Sequence, residues 1–231
     1  MSEIAENLSE IYKNIEAAAK KSGRSADDIM LLGVTKTVDC ERIQQLVDLG
    51  VKELGENRVQ ELMSKIDVIK GDVNWHLIGS LQTNKVKYII GKVKLIHSVD
   101  SLKLASEISK RSLASGLVTD ILLELNVAEE ESKHGFKAEE LSDTIEKLKE
   151  FKGIGVKGLM TVAPYVENPE NNRPVFKKMR ELFIDIKAKN CDNIDMTYLS
   201  MGMTNDYVVA IEEGADIVRI GTGIFGKRNY A

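Results

Sequence analysis

A chain of 231 residues, 43% of them hydrophobic, carries enough apolar side chain for a sizeable core and lacks the composition of a disordered segment. Its net charge of −4 offers no clustered basic surplus of the kind that marks a nucleic-acid surface. Its two cysteines, Cys40 and Cys191, form no CxxC pair that would imply a zinc site or a disulfide framework. An acidic N-terminus and the lack of any apolar run long enough to span a bilayer lead us to expect a soluble, cytoplasmic protein.

In chain order, Ile4, Leu8, Ile11 and Ile15 recur at helical spacing, and Gly23 follows as a stop, which predicts an N-terminal helix. Short apolar runs then appear at 30–35, 51–55, 75–79, 93–99, 121–127, 156–162, 198–201 and 217–220. They are nearly continuous in hydrophobicity, as strands of a parallel sheet covered on both faces must be. Helical stripes separate them: Ile43, Leu46 and Val47; Val59, Leu62 and Met63; Val86, Ile89 and Ile90; Leu104 and Ile108. Further along come Leu141, Ile145 and Leu148, then Phe176, Met179 and Phe183, then Tyr207, Val208 and Ile211. Asp39, Ser101 and Thr204 are expected N-caps.

Eight strands alternating with helices predict a single (β/α)8 barrel, with one domain spanning 1–231. Little chain remains after the eighth strand, so the N-terminal helix is expected to complete the outer ring. The segment 163–174 holds all three prolines and reads as a long loop on the catalytic face. The polar, glycine-ended segment 129–135 reads as a second loop, one able to close over a ligand.

Working residues of a barrel sit at the C-terminal ends of its strands. The first strand ends in Lys36, where alternation aims the side chain at the mouth; it reads either as a Schiff-base nucleophile or as a solvated strand-end lysine. The eighth strand ends in Gly221, Thr222 and Gly223, and the seventh in a turn from Ser200 through Gly202 to Thr204. Both turns suit a phosphate, although ordinary loop glycines read the same way. Arg219 is in phase with Gly221 and faces inward, where a charge needs a partner. His76 reads as a satisfied core histidine, and Asn57 as a cap for the next helix. His76, His97 and His134 share no ligand spacing, so no metal site is expected.

The segments 33–36 (GVTK), 55–57 (GEN), 75–85 (WHLIGSLQTNK), 132–136 (SKHGF), 158–164 (GLMTVAP), 199–203 (LSMGM) and 219–222 (RIGT) together resemble the YggS/PROSC-type family of pyridoxal 5'-phosphate (PLP) homeostasis proteins, related to the N-terminal barrel of alanine racemase. The resemblance implies PLP held as a Schiff base on Lys36, with Arg219 on the pyridine nitrogen. It further implies that Ser200, Gly202, Gly221 and Thr222 cradle the phosphate, and that Asn57 and His76 lie near the ring. Three positions depart from the pattern: Thr204 stands where serine is frequent, Val208 where an acid is, and Gly223 where alanine is.

An always-charged guanidinium on the ring nitrogen disfavours its protonation and so disfavours extensive carbanion chemistry. The racemase pattern also draws a second base, and its dimer contacts, from a further β domain that this sequence does not show. These points imply a monomeric PLP-binding protein acting in vitamin B6 homeostasis and supply, with effects on amino-acid and keto-acid balance. Its expected partners are PLP, recipient apo-enzymes and free amino acids. A PLP-dependent amino-acid racemase is the alternative. A Schiff-base aldolase is a third reading, and it leaves Arg219 unexplained.

Overall fold

The computed structural model describes residues 2–128, 134–189 and 191–226. Eight parallel strands close into a barrel in sequence order: β1 Met30–Val34, β2 Glu53–Glu56, β3 Asn74–Leu77, β4 Leu95–Val99, β5 Thr119–Glu124, β6 Ile154–Met160, β7 Ile194–Met203 and β8 Ile217–Ile220. Closure is made by β1 against β8, with Met30 opposite Ile217 and Gly33 opposite Ile220. The expected architecture is present, and its core has two parts. Leu32, Leu95, Leu122, Met160 and Ile217 fill the barrel interior, while a larger apolar layer lies between strands and helices.

The helices are α1 Glu3–Lys21, α2 Cys40–Asp48, α3 Val59–Lys65, α4 Leu102–Ala114, α5 Leu141–Leu148, α6 Arg173–Ala188, α7 Tyr207–Glu212 and the short α8 Thr222–Phe225. With so brief an α8, the outer ring has a gap. α1 fills it, burying Ile4, Leu8, Ile11 and Ile15 while packing against α7, α8 and α2. Ser2 caps its start and acidic Glu3 and Glu6 sit in its first turn, opposite Lys20 and Lys21 in its last, as the helix dipole favours.

Two expectations need correction. The Val86 stripe forms a six-residue 3₁₀ helix, Thr83–Tyr88, in place of an α-helix. β7 is ten residues long, since its entry alternates buried Ile194 and Met196 with exposed Asp195 and Thr197. A period-2 half-exposed entry escapes a search for continuous apolar runs. Where β6 meets β7 the register shifts at Gly158, whose φ of +150° and contact with the Tyr198 carbonyl leave no room for a Cβ. Of the second expected loop, residues 129–133 lie outside the described residues.

Candidate functional site

At the C-terminal ends of the strands a cleft of about 550 Å³ opens. Val34, Lys36, Asn57, Ile78, Val162 and Tyr165 line one part of it, and Met203, Thr204, Asn205, Arg219, Gly221 and Thr222 the rest. Strands β1 and β8 are hydrogen-bonded neighbours, and that pairing brings Lys36 and Arg219 to one opening although 183 positions separate them.

Lys36 stands two residues beyond β1, half-buried, on a backbone braced from beneath. Buried Lys65 of α3 donates to the Thr35 carbonyl (2.9 Å), to Glu56 Oε1 (2.8 Å) and to Glu61 Oε1 (2.6 Å). The Thr35 hydroxyl donates to the same Glu56 oxygen (2.6 Å), and the Thr37 N–H donates to Glu61. Thr37 holds a φ of +59°, unusual for a residue with a branched Cβ, so this brace fixes a conformation the chain would not adopt alone. Burial raises the Glu56 carboxyl against the lowering pull of Lys65 and Thr35.

Arg219 is 5% exposed, and its guanidinium is hydrogen-bonded on both sides. One amino group donates to Ser200 Oγ (2.7 Å) and the other to the Thr161 carbonyl (2.8 Å). Burial lowers its pKa to about 10, against the raising fields of Glu124 and Asp206. The neighbouring Glu124 is pushed up to about 7 by burial and by Asp100, with Arg219 pulling the other way.

Ser200, Gly202 and His76 do not line the cleft. Ser200 is fully buried and turns its hydroxyl inward, to Arg219 and to His97 Nδ1 (3.1 Å). Gly202 serves the turn: its φ is +90°, and an added Cβ would stand 2.6 Å from that of Ala210. His76 lies deeper in the barrel, between His97 (2.9 Å) and Glu53 (2.7 Å). Alternation gives the face a strand residue points to but not its depth along the barrel axis.

Thr204 takes the place expected for Ser200. The cap of α7 is Asp206, and the Thr204 hydroxyl meets Thr222 Oγ1 (3.2 Å) and accepts from the Gly223 N–H (3.2 Å). A Cβ on Gly223 would lie 3.2 Å from the Thr204 methyl and 2.9 Å from Ile220 Cγ2. The threonine at 204 and the glycine at 223 therefore meet in space, the added methyl of one occupying the room that an alanine would need at the other. Asn57 caps nothing either: Arg58 is the N-cap of α3, and Asn57 Oδ1 is buried without a hydrogen-bond partner.

The proline-rich loop is pinned on both sides of Tyr165. Asn172 Nδ2 donates to the Pro164 carbonyl (2.9 Å) and to Asp206 (2.8 Å), and Asn205 Nδ2 donates to the Val166 carbonyl (2.8 Å). Tyr165 is 87% exposed at the lip of the cleft. Nothing in the sequence marks it beyond its place in that loop. The Glu56–Lys65 brace has a signal only in retrospect, a lysine on the apolar stripe of α3.

The family model for the alanine racemase N-terminal domain matches residues 7–229. A pyridoxal phosphate homeostasis protein of Aquifex aeolicus (strain VF5) is 48% identical over 226 residues, covering 97% of this chain and 98% of its own. The structure of PipY from Synechococcus elongatus PCC7942 with PLP bound is 28% identical with a TM-score of 0.82, covering 96% of this chain and 100% of that one. An alanine racemase of Clostridium difficile 630 shares the fold, with a TM-score of 0.73 at 16% identity, and the match covers 97% of this chain but 56% of the racemase. The fold is thus that of an alanine racemase N-terminal-type barrel. Within that class, the chain belongs to the pyridoxal phosphate homeostasis protein family.

Proposed function

We propose that this chain, as one barrel domain, binds PLP as a Schiff base on Lys36 and serves PLP homeostasis and supply, passing the cofactor to recipient apo-enzymes or free amino acids. The observation that carries this reading is the cleft itself. It offers a lysine, a buried guanidinium on the neighbouring strand and a pair of hydroxyls beside a glycine turn, all on one opening. The orphaned Asn57 Oδ1 gives a buried acceptor on the wall, which a ring hydroxyl would satisfy. When bound, PLP supplies an aldehyde carbon that condenses reversibly with amines. Lys36 anchors it, and Thr204, Thr222 and the turn at Gly221 receive the phosphate. Ile78 and Val162 offer apolar walls, and Arg219 donates to the ring nitrogen and keeps it unprotonated. A recipient amine competes with Lys36 for the same carbon, so release requires no further catalyst.

The relatives' names support this reading, and the PLP-bound PipY supports the cofactor. A cytoplasmic monomer is the working form we propose; among the described residues no helix is long and apolar enough to cross a membrane. The racemase alternative has one observation to draw on, the Tyr165 phenol at the lip. At 87% exposure it lacks the water-excluding surroundings a second base works in. Adding PLP to the purified chain should give a visible absorption band that borohydride abolishes. Lys36→Ala should stay folded and show no such band; a band retained in that variant refutes the anchor. Sustained racemisation of a single-enantiomer amino acid would favour the alternative.

A further inference from the structure

Beneath the cleft a continuous file of side chains crosses the barrel. Arg219 Nη1 meets Ser200 Oγ (2.7 Å), Ser200 Oγ meets His97 Nδ1 (3.1 Å), His97 Nε2 meets His76 Nδ1 (2.9 Å) and His76 Nε2 meets Glu53 Oε2 (2.7 Å). Ser200, His76 and His97 are wholly buried. Glu53 opens β2 at the end of the barrel opposite the cleft, where Lys94 Nζ (2.9 Å) and Asn74 Nδ2 (2.8 Å) donate to its other oxygen.

The direction of every hydrogen bond in this file follows from its two ends. Burial raises the Glu53 carboxyl, but hydrogen bonds from His76, Lys94 and Asn74 outweigh it and hold it down to about 2, so it is a carboxylate and only accepts. His76 must therefore carry its hydrogen on Nε2. Burial lowers the pKa of both histidines, His97 strongly, and a neutral His76 then presents a bare Nδ1. His97 must donate to it from Nε2, which leaves His97 Nδ1 bare in turn. Ser200 must donate to that nitrogen, and it accepts from Arg219, which can only donate. Reversing the file would leave the Ser200 hydrogen buried without an acceptor, at a cost of about 1–3 kcal/mol. The file is polarised one way, and chains of this kind reinforce one another's bonds.

We propose that Glu53 is a positioning residue for the cofactor ring, acting through His76, His97 and Ser200 to fix the orientation of Arg219 from the opposite end of the barrel. With Nη1 tied to Ser200 and Nη2 to the Thr161 carbonyl, the guanidinium is held in one plane, and its remaining N–H groups are left to meet a ring nitrogen in the cleft. This rests on the PLP reading above, but the file exists without the cofactor and is testable without it.

The test is long-range ¹H–¹⁵N correlation on the histidine-labelled protein, first without and then with PLP, together with the visible spectrum of the loaded protein. In the unloaded protein His76 and His97 should both give the Nε2–H pattern; an Nδ1–H pattern at either one overturns the assignment. Loading with PLP should shift the ring nitrogens of both histidines, and unmoved signals overturn the coupling to the cleft. Glu53→Gln should lose the single pattern and shift the visible maximum while keeping the borohydride-sensitive band. Asp72→Asn, which breaks the neighbouring exposed pair with Lys52 at the same end, should change neither. A Glu53→Gln spectrum identical to wild type, or an Asp72→Asn effect of equal size, refutes the role. If Glu53→Gln does not fold, the wild-type comparison with and without PLP decides. Failure of the wild type to take up PLP would refute the cofactor reading and leave the unloaded pattern to judge the file.

Discussion

Glu124 should make the fold weaker as pH rises, and replacing it should reverse that. Its carboxyl sits at the end of β5 under burial and the field of Asp100, with Arg219 compensating in part, and its pKa is raised from 4.5 to about 7. Between those values the folded chain holds a proton that the unfolded chain has released. The folded state then binds the more protons, so stability falls as pH rises through that window. At about 1.4 kcal/mol per pH unit, the interval amounts to roughly 3 kcal/mol, fully lost above pH ~7. Glu124→Gln keeps the neutral, hydrogen-bonding shape at every pH. It should match wild type near pH ~4.5 and exceed it by roughly 3 kcal/mol near pH ~8, read as a rise in the urea midpoint at unchanged slope. Other carboxyls with raised pKa, such as Asp216 and Glu56, titrate in both proteins and cancel in the difference. Equal stability of the two proteins near pH ~8 would refute the reasoning.

The brace beneath Lys36 and the Thr204–Gly223 contact give two further expectations. Lys65→Met strands the Glu56 carboxylate in the interior and should cost about 3–5 kcal/mol in urea unfolding, while adding Glu56→Gln should recover most of it; strictly additive losses would refute a coupled pair. Gly223→Ala should cost about 1–3 kcal/mol through overpacking against Ile220 and Thr204. Thr204→Ser in the same chain should return the part owed to the threonine methyl, and no recovery in a urea titration would show that the two positions are independent.

The barrel was legible in the sequence because its signal is local and repeated. Continuous apolar runs alternating with stripes at helical spacing admit few other architectures. Lys36, Arg219, Gly221 and Thr222 were legible for a related reason. Lys36, Arg219 and Gly221 lie at strand C-terminal ends in the inward phase, Thr222 follows in the turn, and the closed barrel gathers such ends at one mouth. Depth was not legible. His76 and Ser200 share that phase but lie below the opening, since strand tilt and register set the height of each inward residue and neither is written in alternation. Nor could the sequence pair His97 with Ser200, 103 positions away, or Glu53 with His76 across a strand boundary. What the sequence determined by itself was which strand positions face inward and which lie at the mouth. The tertiary structure alone decided which of them touch, because contact depends on the height at which separate strands meet, and that height is fixed only when the barrel closes.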